Sequence, residues 1–362
     1  MKIVKESKII NKINTLSEIN ELNFSLSDMF LSLINNNEIV SPKEIEILSK
    51  KFSQNVKDVY YDKILEYWDI DPEVEDNEYI LQTHVYPNIN ELDIDEFLNN
   101  PYYKSIHINT IKLGQYELIN DKYFPYEIFA SDDIKVRDDY TEQTSLGFFK
   151  KEISFIALNY RGVTWMSVNP NEIKTMEKAI NSAKGNVVVF GLGLGYYPYM
   201  ISLKKEVTKI TIIEKDKNII KIFKEYILPQ FEYKDKITII ETDALEYIKH
   251  PLKYDFAYVD LWHNAEDGLN LYAKFKNIEK DNPNCQFAYW LEDAFYALLR
   301  RAFISLLSEQ LEGYKDNNYQ KAETTFDTII NRLYIKTKNL QITSEEEIDR
   351  LLTDKSLLEL YL

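Results

Sequence analysis

The 362-residue chain is poor in the residues that would mark a disulfide-bonded or membrane protein, with one cysteine, four histidines and nine glycines. A single cysteine, Cys285, excludes an internal disulfide framework and suits a reducing compartment. Charged residues occur within the first six positions, which is too early for a signal peptide, and no apolar run is long enough to span a bilayer. We therefore expect a cytoplasmic protein that does not cross a membrane.

Positive charge is also scarce, because 43 basic side chains stand against 59 acidic ones and the formal net charge is -16. Nucleic-acid binding depends on clustered Lys and Arg, and no such cluster is present, so a nucleic-acid partner is disfavoured. The acidic balance suits a cationic small molecule or peptide, although it also describes an ordinary solvated surface. We predict no metal site, and a homo-oligomer is compatible with the sequence.

Four of the nine glycines are concentrated in one stretch, residues 185–195, with the sequence GNVVVFGLGLG. Residues 187–190 are β-branched or aromatic, which predicts a strand that is buried on both faces. Gly191, Gly193 and Gly195 then follow at alternate positions. They permit a sharp turn and close approach of a ligand to the backbone, and the helix expected after them would offer free amides to an anionic group. The alternative is a tight strand-to-helix turn without a ligand.

Strands and helices alternate after this loop, which indicates a parallel sheet with right-handed crossovers. A weaker fifth strand precedes a long helix over residues 291–311, and whether the sheet continues after residue 311 is left open. The predicted strands after the first are residues 209–213, 237–240, 256–259 and 286–290.

The part of the chain before the glycines has a different pattern. Apolar residues at helical spacing predict helices over about residues 1–70, and shorter periods then predict hairpins around Gly114 and Gly162, with a turn at Asn120 and Asp121. We therefore divide the chain into a helical segment 1–79, a small α+β unit 80–183, a sheet domain 184–311 and a helical C-terminal extension 312–362.

Acidic residues follow the predicted strands, at the edge where open parallel sheets bind ligands. Glu214 comes about 20 residues after the loop and is placed to accept hydrogen bonds from a ribose diol. Asp243, with Ala244, would lie on the adenine side, although an aspartate at a helix start is often only an N-cap. Asp260 ends the fourth strand, nearest to the reactive end of a ligand.

The spacing of the glycines distinguishes two classes of nucleotide site. A dinucleotide loop needs a small residue three positions after its second glycine, and the residue there is Tyr196. The Gly-x-Gly-x-Gly form instead resembles the S-adenosylmethionine loop of class I methyltransferases. This resemblance covers about residues 180–300 and implies a Rossmann-like α/β fold that binds S-adenosylmethionine, with the loop amides close to the amino-acid part of the cofactor.

A second resemblance extends upstream of the loop. Residues 162–167 and 171–177, GVTWMS and NEIKTME, are similar to the hairpin and helix that precede the loop in spermidine synthases. The resemblance implies that Glu172 binds substrate and that Asp260 takes the proton or charge of the attacking amine. That family's tyrosine and second aspartate are replaced here, at Thr175 and in residues 261–264. These replacements favour methyl transfer over aminopropyl transfer.

Three further residues lie in the loop after the fourth strand, which should face the substrate. Trp262 and Glu266 are candidates for binding a cationic substrate, and His263 is a second candidate for the proton acceptor because histidine titrates near neutrality. A structural hydrogen bond for His263 and a solvated loop for Glu266 are the alternatives.

These residues predict an S-adenosylmethionine-dependent transferase that methylates an amine or another nucleophile of a small molecule or peptide. The first alternative is an aminopropyltransferase that uses decarboxylated S-adenosylmethionine. The second is a protein that binds the cofactor and a partner without catalysis.

Overall fold

The computed structural model describes residues 1–35, 41–71, 75–249, 251–315, 319 and 322–362. The helices are α1 (Ser7–Asn35), α2 (Pro42–Phe52), α3 (Val56–Trp68), α4 (Glu75–Ile80), α5 (Ile94–Leu98), α6 (Pro101–Ser105), α7 (Pro170–Ser182), α8 (Tyr196–Ser202), α9 (Lys217–Ile222), α10 (Ala244–Tyr247), α11 (Ala265–Asp281), α12 (Glu292–Glu312), α13 (Thr325–Thr337), α14 (Glu345–Leu351) and α15 (Asp354–Tyr361). The strands are β1 (Lys2–Ile3), β2 (Ile89–Glu91), β3 (Ile111–Leu113), β4 (Tyr116–Tyr123), β5 (Phe129–Ala130), β6 (Lys135–Val136), β7 (Glu142–Gln143), β8 (Leu146–Phe148), β9 (Ile153–Tyr160), β10 (Val163–Ser167), β11 (Gly185–Phe190), β12 (Val207–Glu214), β13 (Ile237–Glu241), β14 (Phe256–Val259), β15 (Gln286–Tyr289) and β16 (Gln341–Ile342).

The central sheet has five parallel strands in the order β13-β12-β11-β14-β15. Each strand predicted after residue 184 is present, and Val187 and Val188 at its centre are fully buried, as their apolar run requires. The chain leaves β11 towards β12 on one side and later returns to β14 on the other side. The strand order therefore reverses at β11, and this is where open parallel sheets place their ligands.

Helices pack against this sheet and enclose its core. α8, α9 and α10 contact β12, while α11 contacts β15 and α12. The fully buried aromatic residues Phe190, Tyr258 and Phe275 fill the interior. Among the described helices, none combines the length and the apolar character needed to cross a membrane.

The two ends of the chain meet beside this core. α12 packs against α1, α13 and α15, and β16 pairs in parallel with β1. The C-terminal extension is therefore not purely helical, which corrects the prediction. A strand of two residues has too short an alternation to be recognised in a sequence, and its pairing with the N-terminus is a contact between distant parts of the chain.

The long helix α1 contributes to two cores. Ile9 and Ile13 in its first half belong to the core of the central sheet, whereas Leu26 and Phe30 in its second half pack with α3 and the small sheet β2-β8-β5. A 29-residue helix is about 43 Å long at 1.5 Å per residue, which is enough to reach both.

A second antiparallel sheet, in the order β10-β9-β4-β3, precedes the glycine loop. The hairpin predicted between β9 and β10 is present, with positive φ values of 54° at Arg161 and 80° at Gly162. The predicted turn at Asn120 and Asp121 is wrong, because β4 continues through Tyr123 and pairs with β9 along its whole length. Pairing with a neighbouring strand outweighs the local preference of these two residues for a turn.

Candidate functional site

A cavity of about 240 Å³ lies at the carboxyl ends of β11, β12 and β14, where the strand order reverses. Residues of the glycine loop, of α7 and of the end of β10 line this cavity. Glu214 ends β12 and Asp260 follows β14, so both carboxylates reach the cavity from the sheet. The cavity is lined by Trp165, Met166, Ser167, Val168, Glu172, Met176, Val189, Gly191, Leu192, Gly193, Leu194, Tyr196, Tyr197, Pro198, Glu214, Lys215, Tyr258, Asp260, Leu261, Trp262, His263 and Trp290.

The three loop glycines are needed for different reasons, although all have positive φ values. A Cβ on Gly191 would collide with the backbone oxygen of Asp260, and a Cβ on Gly195 would lie 2.4 Å from the Phe223 ring if nothing moved. A Cβ on Gly193 would meet nothing within 4 Å. Gly193 lines the cavity, so its missing side chain leaves room for a ligand, whereas Gly191 and Gly195 allow the turn to pack.

Two amides of this loop are free to bind a ligand. Leu192 N donates to Glu214 Oε2 at 3.1 Å, and Gly195 N donates to Leu192 O at 3.0 Å. Within the described residues, the amides of Gly193 and Leu194 between them have no hydrogen-bond acceptor. Backbone amides without a partner are rare in the interior of a protein, and a pair of them beside a cavity suits a carboxylate.

Glu214 is held in place by the backbone around it. Its Oε1 accepts hydrogen bonds from the amides of Lys215 and Asp216, both at 2.7 Å, and its Oε2 accepts the hydrogen bond from Leu192. A carboxylate has about four acceptor positions, so one remains on Oε2 for a ligand hydroxyl. Glu214 therefore both fixes the loop and keeps a single free position.

Asp260 and Glu172 are half-buried carboxylates that both line the cavity. Among the described residues, neither side chain has a hydrogen-bond partner. Burial, and then the charge of Glu214, raise the pKa of Asp260 to about 7. Burial, and then the charge of Asp260, raise the pKa of Glu172 well above its usual value. A cation in the cavity would relieve this repulsion and favour the ionised forms of both.

Six tryptophan and tyrosine side chains also line the cavity. The rings of Tyr197 and Tyr258 are stacked with centroids 3.7 Å apart, and the buried Tyr258 hydroxyl has no partner among the described residues. Trp262 Nε1 donates to Trp290 O at 3.0 Å, and Trp290 Nε1 donates to Thr175 Oγ1 at 2.9 Å. Electron-rich ring faces beside unpaired carboxylates attract cations. The aromatic residues at the cavity are Trp165, Tyr196, Tyr197, Tyr258, Trp262 and Trp290.

The loop after β14 places its three candidates differently. Trp262 is buried and His263 is exposed, and both line the cavity. His263 Nδ1 lies 3.2 Å from Asp267 Oδ2, which holds the imidazole at the start of α11. Glu266 is exposed on the first turn of α11 and lies outside the cavity lining, because the helix turns its side chain to solvent.

Asp243 and Ala244 also lie outside the cavity lining. They lie at the start of α10 after β13, with the two strands β12 and β11 between β13 and β14, and Asp243 Oδ1 caps the helix by accepting a hydrogen bond from Leu245 N at 2.8 Å. The adjacent β12 separates them from the cavity. No group of metal-ligating side chains occurs in the part of the chain that the structure describes.

The fold thus brings together seven of the residues chosen from the sequence and leaves four outside. The residues at the cavity are Glu172, Gly191, Gly193, Glu214, Asp260, Trp262 and His263, and those outside its lining are Gly195, Asp243, Ala244 and Glu266.

The sequence analysis did not select Tyr258 and Trp290 as site residues, although the position of each relative to a predicted strand indicates a place in the site. Tyr258 lies on β14 two residues before Asp260, which directly follows that strand, so the alternation of a strand continued by one residue places both side chains on one face of the sheet. Trp290 directly follows β15, just as Asp260 directly follows β14, and residues at the carboxyl ends of parallel strands are candidates for ligand binding.

No family model matches this chain, and no curated protein matches it significantly. Among solved structures, the spermidine synthase from Thermotoga maritima is 16% identical at a TM-score of 0.30, over 43% of this chain and 60% of that chain. A spermidine synthase in complex with the transition-state analogue AdoDATO is 16% identical at a TM-score of 0.29, over 43% of this chain and 59% of that chain. The precorrin 8W decarboxylase from Methanobacterium thermoautotrophicum is 21% identical at a TM-score of 0.25, over 38% of this chain and 67% of that chain. The alignments thus span only about 60% of either spermidine synthase, and the scores are too low to define a family.

Proposed function

We propose that this chain is a transferase that uses S-adenosylmethionine, and that it transfers the methyl group to an amine. The observation that carries the proposal is one cavity lined both by Gly193 and Leu194, whose amides have no acceptor within the described part of the chain, and by Glu172 and Asp260, whose carboxylates have no donor there. S-adenosylmethionine carries a carboxylate and a sulfonium cation, and the cavity offers groups complementary to both.

Each part of such a ligand has a matching surface. The carboxylate would accept hydrogen bonds from the Gly193 and Leu194 amides, and the ribose would donate to the free position on Glu214. The sulfonium would lie against the aromatic rings near Asp260. The adenine would then extend past β12 towards Asp243 and Ala244. These two residues would thus have their predicted role in binding the adenine, although they do not line the cavity.

The chemistry requires alignment and a proton acceptor. The ligand supplies a methyl carbon bonded to positively charged sulfur; the amine forms the new C–N bond while the C–S bond breaks and sulfur keeps the electron pair. Asp260, which the positive charge of the bound ligand would keep ionised, then takes the proton from the product amine. The buried residues Trp262 and Trp290, which line the cavity next to each other, would exclude water from the reacting atoms.

Aminopropyl transfer from decarboxylated S-adenosylmethionine is a second candidate, because that ligand lacks the carboxylate and keeps the positively charged ammonium and sulfonium groups. Glu172 and Asp260 favour it, since together they could neutralise two positive charges. The free amides of Gly193 and Leu194 favour the form with a carboxylate.

The test is isothermal titration of the purified protein with S-adenosylmethionine, its decarboxylated form and S-adenosylhomocysteine. We expect tightest binding of S-adenosylmethionine, and at least tenfold weaker binding of all three to Glu214→Gln, since every form contains the ribose. Glu241→Gln is the matched control, because Glu241 pairs with Glu214 across the sheet but lies outside the cavity.

Three outcomes separate the alternatives. Preference for the decarboxylated form supports aminopropyl transfer, and binding without turnover of any amine in a panel supports a non-catalytic binding protein. Absence of binding to all three ligands at millimolar concentration would contradict the proposal.

A further inference from the structure

The short helix α6 lies directly against the glycine loop, although about 90 residues separate them in the sequence. Tyr102, which is fully buried, donates its hydroxyl hydrogen bond to Leu194 O at 2.7 Å. Asn100 Nδ2 donates to the Tyr196 hydroxyl at 3.0 Å. The part of the chain before the sheet domain therefore contacts the backbone that lines the cavity.

These contacts hold one peptide group of the loop from both sides. Tyr102 fixes the Leu194 oxygen, and the following amide, Gly195 N, donates to Leu192 O at 3.0 Å. Glycines at 193 and 195 give the loop many backbone conformations, so its shape depends on such restraints. Rotation of this peptide group would turn the neighbouring Leu194 and Gly193 amides away from the cavity.

We propose that Tyr102 is a positioning residue of the ligand site, which orients the loop amides that receive the ligand's carboxylate. The proposal rests on the proposed function for the identity of the ligand, but the restraint itself is a property of the free protein. Tyr102 lines no part of the cavity, so it acts only through the loop.

The hydroxyl is suited to act as a permanent donor. Burial raises the pKa of Tyr102 far above its usual value, which favours the protonated hydroxyl that donates to Leu194 O. The rings of Tyr196 and Tyr199 stand edge-on to the Tyr102 ring, each with centroids 5.5 Å away, and fix its orientation.

The first test is hydrogen–deuterium exchange of peptides covering residues 190–197 in the ligand-free protein. Tyr102→Phe keeps the ring and removes the hydroxyl, and we expect exchange in this segment to become at least tenfold faster. Tyr199→Phe is the matched control, because its hydroxyl donates to Pro101 O at 3.2 Å within the same aromatic cluster but touches no loop residue. Unchanged exchange in Tyr102→Phe would overturn the proposal, whatever the wild type binds.

The second test compares ligands with and without the carboxylate. We expect Tyr102→Phe to bind S-adenosylmethionine about tenfold more weakly while binding the decarboxylated form nearly as well as the wild type. Equal weakening of both ligands would show a general structural defect and overturn the positioning role.

The two proposals fail separately. If the wild type binds neither ligand but Tyr102→Phe loosens the loop, the transferase proposal fails and the restraint stands.

Circular dichroism checks the folding of Tyr102→Phe, and if that variant does not fold, Asn100→Ala replaces it. Asn100 caps α6 by accepting from Tyr102 N at 2.9 Å, so its loss should displace Tyr102 and loosen the same segment, and unchanged exchange would again contradict the proposal.

Discussion

Gly191 and Gly193 lie two residues apart on one loop, but a methyl group at each would meet different surroundings. At Gly191 the methyl group would collide with the Asp260 carbonyl oxygen. The backbone of Asp260 is held in place there, because Asp260 N donates a hydrogen bond to Phe190 O at 2.9 Å. We expect Gly191→Ala to lower the free energy of unfolding by about 3 kcal/mol or more. Gly193→Ala should lower it by only about 1–2 kcal/mol, the cost of a left-handed backbone, yet weaken ligand binding about tenfold.

Chemical denaturation and titration with S-adenosylmethionine measure the two quantities for each variant. The assignment of Gly193 to the ligand surface would be wrong if Gly193→Ala bound as tightly as the wild type. Gly191→Ala supplies the comparison with a loop glycine at which an added methyl group would collide with the protein backbone.

Asp260 should give the ligand-free protein a characteristic pH dependence. Its pKa is about 7 in the folded protein and near 3.8 in the unfolded chain, so between these values the folded form holds a proton that the unfolded form releases. Stability therefore falls as the pH rises from about 4 to about 7, by on the order of 2 kcal/mol after allowance for partial exposure. Glu172, whose pKa is also raised, acts in the same direction.

Urea unfolding of the wild type and of Asp260→Asn across this pH range measures the effect. The variant should show a shallower slope, while Glu241→Gln should retain the wild-type slope because Glu241 lies outside the cavity. An unchanged slope in Asp260→Asn would mean that this carboxyl titrates normally.

At the scale of single residues, the sequence was informative where a rule ties residue type to position. Glu214 and Asp260 could be chosen because they follow strands of a parallel sheet. The contact of Tyr102 with Leu194 could not be predicted, because no local pattern indicates which buried tyrosine will meet a loop about 90 residues later. The raised pKa of Asp260 likewise depends on how closely the walls of the cavity approach.

Among the elements, α12 is joined to β7 and α1 by an ion pair that is largely buried. Arg301 Nε donates to both Glu142 oxygens, at 2.8 and 2.9 Å, and Arg301 also donates to Ser27 Oγ at 2.7 Å. Glu142→Ala would leave the guanidinium buried without its carboxylate, and we expect the free energy of unfolding to fall by about 3–5 kcal/mol. Thermal and chemical denaturation measure this loss.

An exposed ion pair provides the control for that experiment. Glu117 lies 3.0 Å from Lys112, whose side chain is 73% exposed, and Glu117→Ala should cost about 0.5 kcal/mol or less. Similar losses in the two variants would show that the Glu142 pair does not join these elements.

Whole elements were predictable where hydrophobic period and local signals agreed. β14 was placed residue for residue, since an apolar run of four residues is bounded by aspartates at 255 and 260. The sequence predicted that β4 ends at Asn120, because the turn propensity of Asn120 and Asp121 is a local property. The pairing of β4 with β9 is a tertiary interaction, which such local propensity does not reveal. β16 was missed because two residues are too few to show alternation.

At the scale of the whole molecule, the chain before the sheet domain does more than precede it. α6 reaches the glycine loop, α7 supplies Glu172 to the cavity, and α1 shares the core of the sheet. The sequence left the first 125 residues without an account, because their contacts with the loop arise only from the tertiary fold. We infer that the ligand site is a property of the entire chain and not of the sheet domain alone.

The central claim is that the cavity between Gly193, Glu214 and Asp260 receives a cationic adenosyl ligand, and a crystal structure of the full chain with S-adenosylmethionine tests it most directly. We expect the ligand's carboxylate within hydrogen-bond distance of the Gly193 and Leu194 amides, a ribose hydroxyl on Glu214, and the sulfur beside Asp260. A ligand bound elsewhere, or a cavity still empty at millimolar S-adenosylmethionine, would contradict it.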